Sequence, residues 1–270
     1  MTALSRLPSG TVNPAKGGSE SSVKAKETIV ETLTRRVRHY VDIEPDAFED
    51  LSTLPFKLES YRTGEDIIRV GDTVDNVFVI EQGWAIRYRR LEDGRRQILN
   101  FMLPGDCFDM MAVTAATADH SVAAATKLQL RRVNARDFLN AIRRNETLAT
   151  AFWWSVVQEE AILREQIVRV GRRSARERVS HLLLELNRRI AAIEGELSDI
   201  IALPFPQALL GDALGLSVVH ISRTLSWLRS EGLIGTTVDG IEIRDRDRLV
   251  QLADFNTAYL HLDRLTFDRG

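Results

Sequence analysis

At 270 residues, with 44% hydrophobic and 27% charged residues, the chain has room for two packed modules and the composition of an ordinary globular protein, not a disordered or fibrous one. Lys and Arg number 36 against 38 Asp and Glu, a net charge of −2, so bulk charge does not point to nucleic acid and any such function must rest on local pattern. The single cysteine, Cys107, excludes an internal disulfide or a multi-cysteine cluster, and His39, His120, His181, His220 and His261 are too scattered for the short spacings of a metal site, so neither a metalloenzyme nor a bound cofactor is expected.

Residues 1–22 hold Pro8, Gly10, Pro14, Gly17 and Gly18 and end Ser-rich, which predicts a disordered tail without the apolar core of a signal peptide. No apolar run approaches the ~18–20 residues of a membrane span, so the cytoplasm is the expected location and no membrane is expected as a partner. From 23 to 40, Ile29, Val30, Leu33 and Val37 fall at helical spacing, and a second short helix follows over Pro45–Leu51. Beyond Phe56 the pattern turns to short β-prone runs separated by Gly64, Gly71, Gly83, Gly94 and Gly105, the spacing of a small all-β sandwich or barrel. In Trp84-Ala-Ile-Arg-Tyr-Arg-Arg, Trp84, Ile86 and Tyr88 alternate with Ala85, Arg87 and Arg89, predicting a strand with one buried and one wet face. Asp93-Gly94 supplies the turn, and Gln97–Met102 the return strand. Residues 23–147 therefore read as a β-roll sensor domain with a helical lead-in.

From Ala149 a stripe runs at spacings of four and three: Ala149, Trp153, Val156, Glu160, Leu163, Ile167 and Val170. A second flank, Phe152, Val157, Ile162 and Val168, is also apolar, so the helix is expected to bury one side on its own domain and the other on a second copy. Residues 148–172 thus read as a dimerisation helix and hinge, with Trp153, Val156, Glu160, Leu163, Ile167 and Val170 at the homodimer interface and Glu160 free to set register or pair with Arg164. A core helix of a monomer is the alternative. Gly171-Arg-Arg-Ser-Ala-Arg-Glu-Arg is the expected hinge, and Val179–Ile193 a further amphipathic helix.

Residues 173–253 carry the clearest signal. A helix over Gln207–Leu214 is broken at Gly215, which permits a left-handed turn, and Ser217 is a good N-cap for a second helix to Glu231. Leu210, Ala213 and Leu214 face Ile221, Leu225 and Leu228, leaving Val218, Val219, His220, Ser222 and Arg223 outward, where a recognition helix presents its base-reading residues. Valine methyls suit a thymine methyl, Arg223 can donate twice to guanine, and Ser217 and Gln207, near helix N-termini, suit phosphate. Thr236-Thr-Val-Asp-Gly-Ile-Glu-Ile-Arg then reads as the hairpin of a winged helix. Residues 254–270 form a C-terminal extension in which Tyr259, Leu260 and Leu262 suit a docked helix.

Taken in order, Gly71-Asp, Val77-Phe-Val-Ile-Glu-Gln-Gly, Pro104-Gly-Asp-Cys-Phe and Leu209-Leu-Gly-Asp-Ala-Leu-Gly-Leu-Ser-Val-Val-His-Ile-Ser-Arg-Thr-Leu resemble the Crp/Fnr family of bacterial transcription regulators over roughly residues 50–253. The resemblance implies an α+β chain: an N-terminal cyclic-nucleotide-binding-like jelly roll, a long dimer helix and a C-terminal winged helix-turn-helix. It further implies a homodimer on a pseudo-palindromic double-stranded DNA operator, contact with RNA polymerase, and no enzymatic activity. Arg223 stands where the family's guanine-reading arginine does. The sequence departs from the cyclic AMP pattern: Asp109-Met-Met replaces Gly-Glu-Leu, and Ala118-Asp-His lies near the expected arginine-serine pair. Without that arginine, and with Asp119 in its place, a phosphate is repelled. Asp109, Met110, Met111, Asp119 and His120 are the candidate residues for an unassigned effector. Two rivals are an effector module that acts through protein contacts without DNA and a cupin-like enzyme, which would need metal ligands or a nucleophile–base pair that the sequence does not offer.

Overall fold

The structure is a computed structural model that describes residues 31–37, 45–110, 112 and 117–262. The expected tail 1–22, the remainder of the lead-in helix, Met111 and the end of the C-terminal extension lie outside the described residues. Helix α1 (31–37) and a 3-10 turn, Pro45–Phe48, leading into α2 (Glu49–Ser52) send Leu33, Val37, Phe48 and Leu51 into the first core.

Eight strands follow: β1 (Lys57–Tyr61), β2 (Asp66–Ile68), β3 (Asn76–Gln82), β4 (Ala85–Arg90), β5 (Arg96–Met102), β6 (Cys107–Phe108), β7 (Ser121–Ala124) and β8 (Leu128–Asn134). They form two four-stranded antiparallel sheets, ordered β1-β8-β3-β6 and β2-β7-β4-β5, with Val77, Val79, Ala85, Met102, Val122 and Leu130 packed between them. The expected wet face of β4 fails at Ala85 and Arg87, both buried. Ala85 fills the roll interior, while Trp84, Ile86 and Tyr88, with Ile98, Phe101 and Leu103, make a second apolar face outside the roll that the C-terminal module covers. Alternation marked two faces correctly, but both are occupied.

Helix α3 (Ala135–Arg143) is capped by Asn134, and α4 (Glu146–Arg172) by Asn145, whose side chains accept backbone N–H bonds in each first turn. Gly171 lies inside α4. The break falls at Arg173–Ser174, inside the expected hinge stretch 171–178, where Ser174 and Glu177 form a capping box that starts α5 (Ala175–Glu194). On α4, Phe152 and Ile162 are buried against the roll and Val157 is half-buried, but Val168 on the same flank is exposed. The expected interface stripe is largely uncovered: Trp153 is 69% and Ile167 70% exposed, Val156 and Glu160 are exposed, and Leu163 and Val170 are half-buried. Glu160 pairs with Arg164 at 2.6 Å.

The C-terminal module packs α5 against α6 (Gln207–Leu214), α7 (Val218–Ser230) and α8 (Arg246–Ala253), with a small sheet of β9 (Ile200–Ile201), β10 (Ile234–Thr236) and β11 (Ile241–Ile243) in the order β10-β11-β9. Leu182, Leu183, Leu184 and Leu186 are all buried, so α5 is enclosed here instead of amphipathic. Within the described part of the extension, the docked helix is a short 3-10 one, Ala258–Leu260, which holds Tyr259 and Leu260 but not Leu262. Leu260 is fully buried, its carbonyl accepts from Gln158 of α4, and the Tyr259 hydroxyl donates to Glu185 of α5 over 2.7 Å.

Candidate nucleic-acid interface and effector cavity

The turn between α6 and α7 is built from two glycines. Gly215 caps α6 at φ 65°, the left-handed conformation that costs glycine nothing, and Leu216 N–H then bonds to the Gly211 carbonyl at 3.0 Å. A Cβ on Gly211 would lie 2.6 Å from the Leu216 carbonyl oxygen, so this helix-interior glycine permits the close approach of the turn. Its role was missed, although a glycine inside an otherwise good helix was the available signal. Ser217 Oγ accepts from His220 N–H at 3.2 Å and starts α7. Ile221, Thr224, Leu225 and Leu228 are buried against α6 and α5, which turns Val218 (52% exposed), Val219 (59%), His220, Ser222 and Arg223 to the outside.

Ser217, Val219, His220 and Arg223 line one groove of about 630 Å³ with Ser174, Arg176 and Trp227. Arg176 lies over the Trp227 ring, 3.8 Å from its centroid, a cation–π contact that holds a guanidinium at the groove edge. Sequence reasoning did not find Ser174 and Arg176, because α5 reaches the groove only through the tertiary packing of α5 on α7. Val218 and Ser222 lie outside that groove. Gln207 stands apart, at the start of α6, in a second depression of about 470 Å³ bounded by the wing residues Thr236–Ile241.

The module is held to the roll by polar as well as apolar contacts. Arg96 pairs with Asp212 at 2.6 Å, and Gln97 and Gln166 both donate to the Ala213 carbonyl, at 2.9 and 2.6 Å. Arg189 donates to Asn100 Oδ1 and the Phe101 carbonyl, and Phe205 stacks on Phe101 with centroids 4.9 Å apart. Between α4 and α5, Arg169 bonds Glu185 and His181 in the interior. Burial, with the Arg169 and Arg173 charges beside it, holds the His181 pKa down to about 2.

A cavity of about 200 Å³ opens between the roll and α4. Of the candidate effector residues, Asp109, Met110 and His120 line it; Asp119 does not and is exposed, correcting the expectation that it sits in the pocket. His120 spans the two carboxylates, Nε2 3.1 Å from Asp109 and Nδ1 2.7 Å from Asp119. The sequence reading also placed no arginine here, yet Arg87 of β4 enters the cavity and pairs with Glu159 of α4. Burial lowers the Arg87 pKa while Asp109, Asp106 and Asp119 oppose that shift. Arg87, Ser155 and Glu159 went unfound because alternation assigned Arg87 to solvent. Cys107 also lines the cavity, and burial pushes its thiol pKa up. Among the described residues, no group of three or more His, Cys, Asp and Glu is arranged to hold a metal, and no helix is long and apolar enough to cross a membrane.

Residues 58–145 match the family model described as a cyclic nucleotide-binding domain, and residues 177–252 the one described as a Crp-like helix-turn-helix domain. The chain is 31% identical over 195 residues to the transcriptional activatory protein AadR of Rhodopseudomonas palustris, which covers 72% of this chain and 80% of that relative. It is 31% identical over 198 residues to the nitrogen fixation regulation protein FixK of Bradyrhizobium diazoefficiens, with the same shares. The solved structure of FixK2 from Bradyrhizobium japonicum matches with a TM-score of 0.65 at 31% identity, covering 74% of this chain and 98% of that one. Roll, long helix and helix-turn-helix thus recur in the same order, and the chain belongs to the Crp/Fnr family of transcription regulators, with the helix-turn-helix as its DNA-binding domain.

Proposed function

We propose that the chain acts in the cytoplasm as a homodimer that seats two α7 helices in successive major grooves of a pseudo-palindromic operator, with half-sites about one turn (~34 Å) apart. Residues 148–172 form the dimerisation helix and hinge, between the sensor at 23–147 and the reader at 173–253. Arg223 donates to guanine O6 and N7, His220 and Ser222 assist, and Val218 and Val219 pack on thymine methyls. Ser217 and Gln207 contact phosphates, joined by Ser174 and Arg176 across the groove. The roll takes an effector of unassigned identity, and bound dimers meet RNA polymerase, as the family implies.

One observation carries this reading. A side-chain-capped helix, held by a buried face of Ile221, Leu225 and Leu228, exposes two adjacent valines and an arginine at its N-terminal end. Uncovered valines gain nothing from water, so the surface is suited to an apolar contact such as the thymine methyl. A gel shift on a fragment of the protein's own promoter, titrated with salt, tests it. Affinity is expected to fall steeply with salt, and Arg223→Ala to cost about 1–3 kcal/mol and relax discrimination at one base pair. Salt-independent binding, or none, would favour the module that acts through protein contacts.

A further inference from the structure

The cavity between the roll and α4 contains two polar atoms that the protein does not satisfy. Arg87 Nε and Asp109 Oδ2 are buried and meet no hydrogen-bond partner among the described residues, although both side chains line the cavity, that of Asp109 1% and that of Arg87 11% exposed. Other atoms of the same side chains have partners: Arg87 Nη1 is paired with Glu159, and Asp109 Oδ1 faces His120 Nε2 at 3.1 Å. What remains is one N–H donor and one carboxylate acceptor, and a buried group left this way costs the full penalty of desolvation. Phe108, Met110 and Val156 supply apolar wall around them.

The charges of that wall exclude most ligand classes. A carboxylate or phosphate would gain from Arg87, but that charge is already matched by Glu159, and Asp109 would repel the newcomer. A cation would suit Asp109 and meet the Arg87 N–H head-on. A single water occupies ~30 Å³ of liquid, far below the cavity's volume of about 200 Å³, and the volume is small beside the ~300–1,000 Å³ of sites for larger organic ligands.

We propose that this cavity binds a small uncharged molecule through an amide-like edge, its carbonyl accepting from Arg87 Nε and its adjacent N–H donating to Asp109 Oδ2. Simple aromatic carboxamides, lactams and the amide edge of a free nucleobase share this chemistry. The proposal rests on the reading of the roll as an effector site and assigns the ligand class to it. The position also explains how occupancy is reported. Arg87's partner Glu159 and the cavity residue Val156 lie on α4, and Val156 belongs to the exposed stripe proposed as the dimer interface.

Benzamide, benzoate and benzamidine present the same ring with a neutral, an anionic and a cationic head, and their binding to the full chain can be compared by calorimetry. Benzamide is expected to bind at least tenfold tighter than either ion. In Asp109→Asn the side-chain NH2 replaces Oδ2, a donor where the acceptor stood. Asparagine tolerates the left-handed backbone of this position (φ 60°), so the variant should fold, which its melting curve checks. The preference should then invert toward benzoate. Arg87→Lys, which keeps the charge for Glu159 but removes Nε–H, should weaken benzamide at least tenfold. Equal binding of all three probes, no binding of any, or benzamide binding unchanged in both variants would each overturn the proposal. A preference that inverts as expected, with operator affinity unmoved by saturating benzamide, would keep the ligand class and overturn the effector reading instead.

Discussion

Two tryptophans on two apolar surfaces have opposite fates. Trp84, at the outer face of sheet β2-β7-β4-β5, is 8% exposed, because Phe205 and the leucines of α5 and α6 lie over that face. Trp153, on the stripe of α4, is 69% exposed, and so are its neighbours Val156 and Ile167 to a large degree. The residues alone do not distinguish the two; what covers them does. The first surface is closed within one chain, which fixes the orientation of the helix-turn-helix module to the roll. The second is left uncovered by the described residues of one chain, and an exposed apolar row of that kind, broken at Glu160, is rare on a monomer, which is the physical ground for proposing a second copy.

The largest expected effect breaks the closed surface. Trp84→Ala removes a ring packed edge-on against both Phe101 and Phe205, and should cost about 3–5 kcal/mol of stability, read as a lower melting temperature. Sensor and reader should still melt together. A loss under ~1 kcal/mol, with the two modules melting separately, would mean that they are joined only by the α4–α5 connection. The next effect addresses the open surface. Trp153→Glu combined with Ile167→Glu should turn a dimer into a monomer by sedimentation, each change removing roughly 2 kcal/mol or more of association if these residues are interface anchors. Because both side chains are exposed in the single chain, the monomer should keep its secondary structure. A variant that remains dimeric would move the interface elsewhere.

The local elements were largely legible in the sequence, and the contacts between modules were not. Gly215, Ser217 and the spacing of Ile221, Leu225 and Leu228 define the helix-turn-helix, because a left-handed turn and an N-cap are decided by neighbouring residues. The hairpin at Asp93-Gly94 was readable for the same reason. Arg87 was assigned to solvent because alternation reports only which face a residue is on, not whether a second body covers that face. The apolar residues of the extension suggested a docked helix, but not that Leu260 and Tyr259 dock on Gln158 and Glu185, far away in the chain. The break after α4 falls inside the expected hinge stretch 171–178, where the capping box of Ser174 and Glu177 starts the new helix.

The smallest effect concerns the joint between the two surfaces. His181 is buried among Arg169, Arg173, Phe255 and Tyr259, where α4, α5 and the C-terminal extension meet, and Glu165 lies 3.1 Å from its Nε2. Its pKa is lowered from 6.5 to about 2, so below pH 6.5 the unfolded chain binds a proton that the folded chain refuses. Stability from this group is complete above pH 6.5 and is lost as pH falls, by roughly 1 kcal/mol between pH 6.5 and 5.5. His181→Gln retains an acceptor for Arg169 and removes the titration. Chemical denaturation at pH 7 and pH 5.5 should therefore show a smaller acid loss in the variant than in the unaltered chain. Parallel losses would assign the acid sensitivity to other groups, and a variant already weakened at pH 7 would show that the imidazole's packing on Phe255 and Tyr259 contributes more than its neutrality.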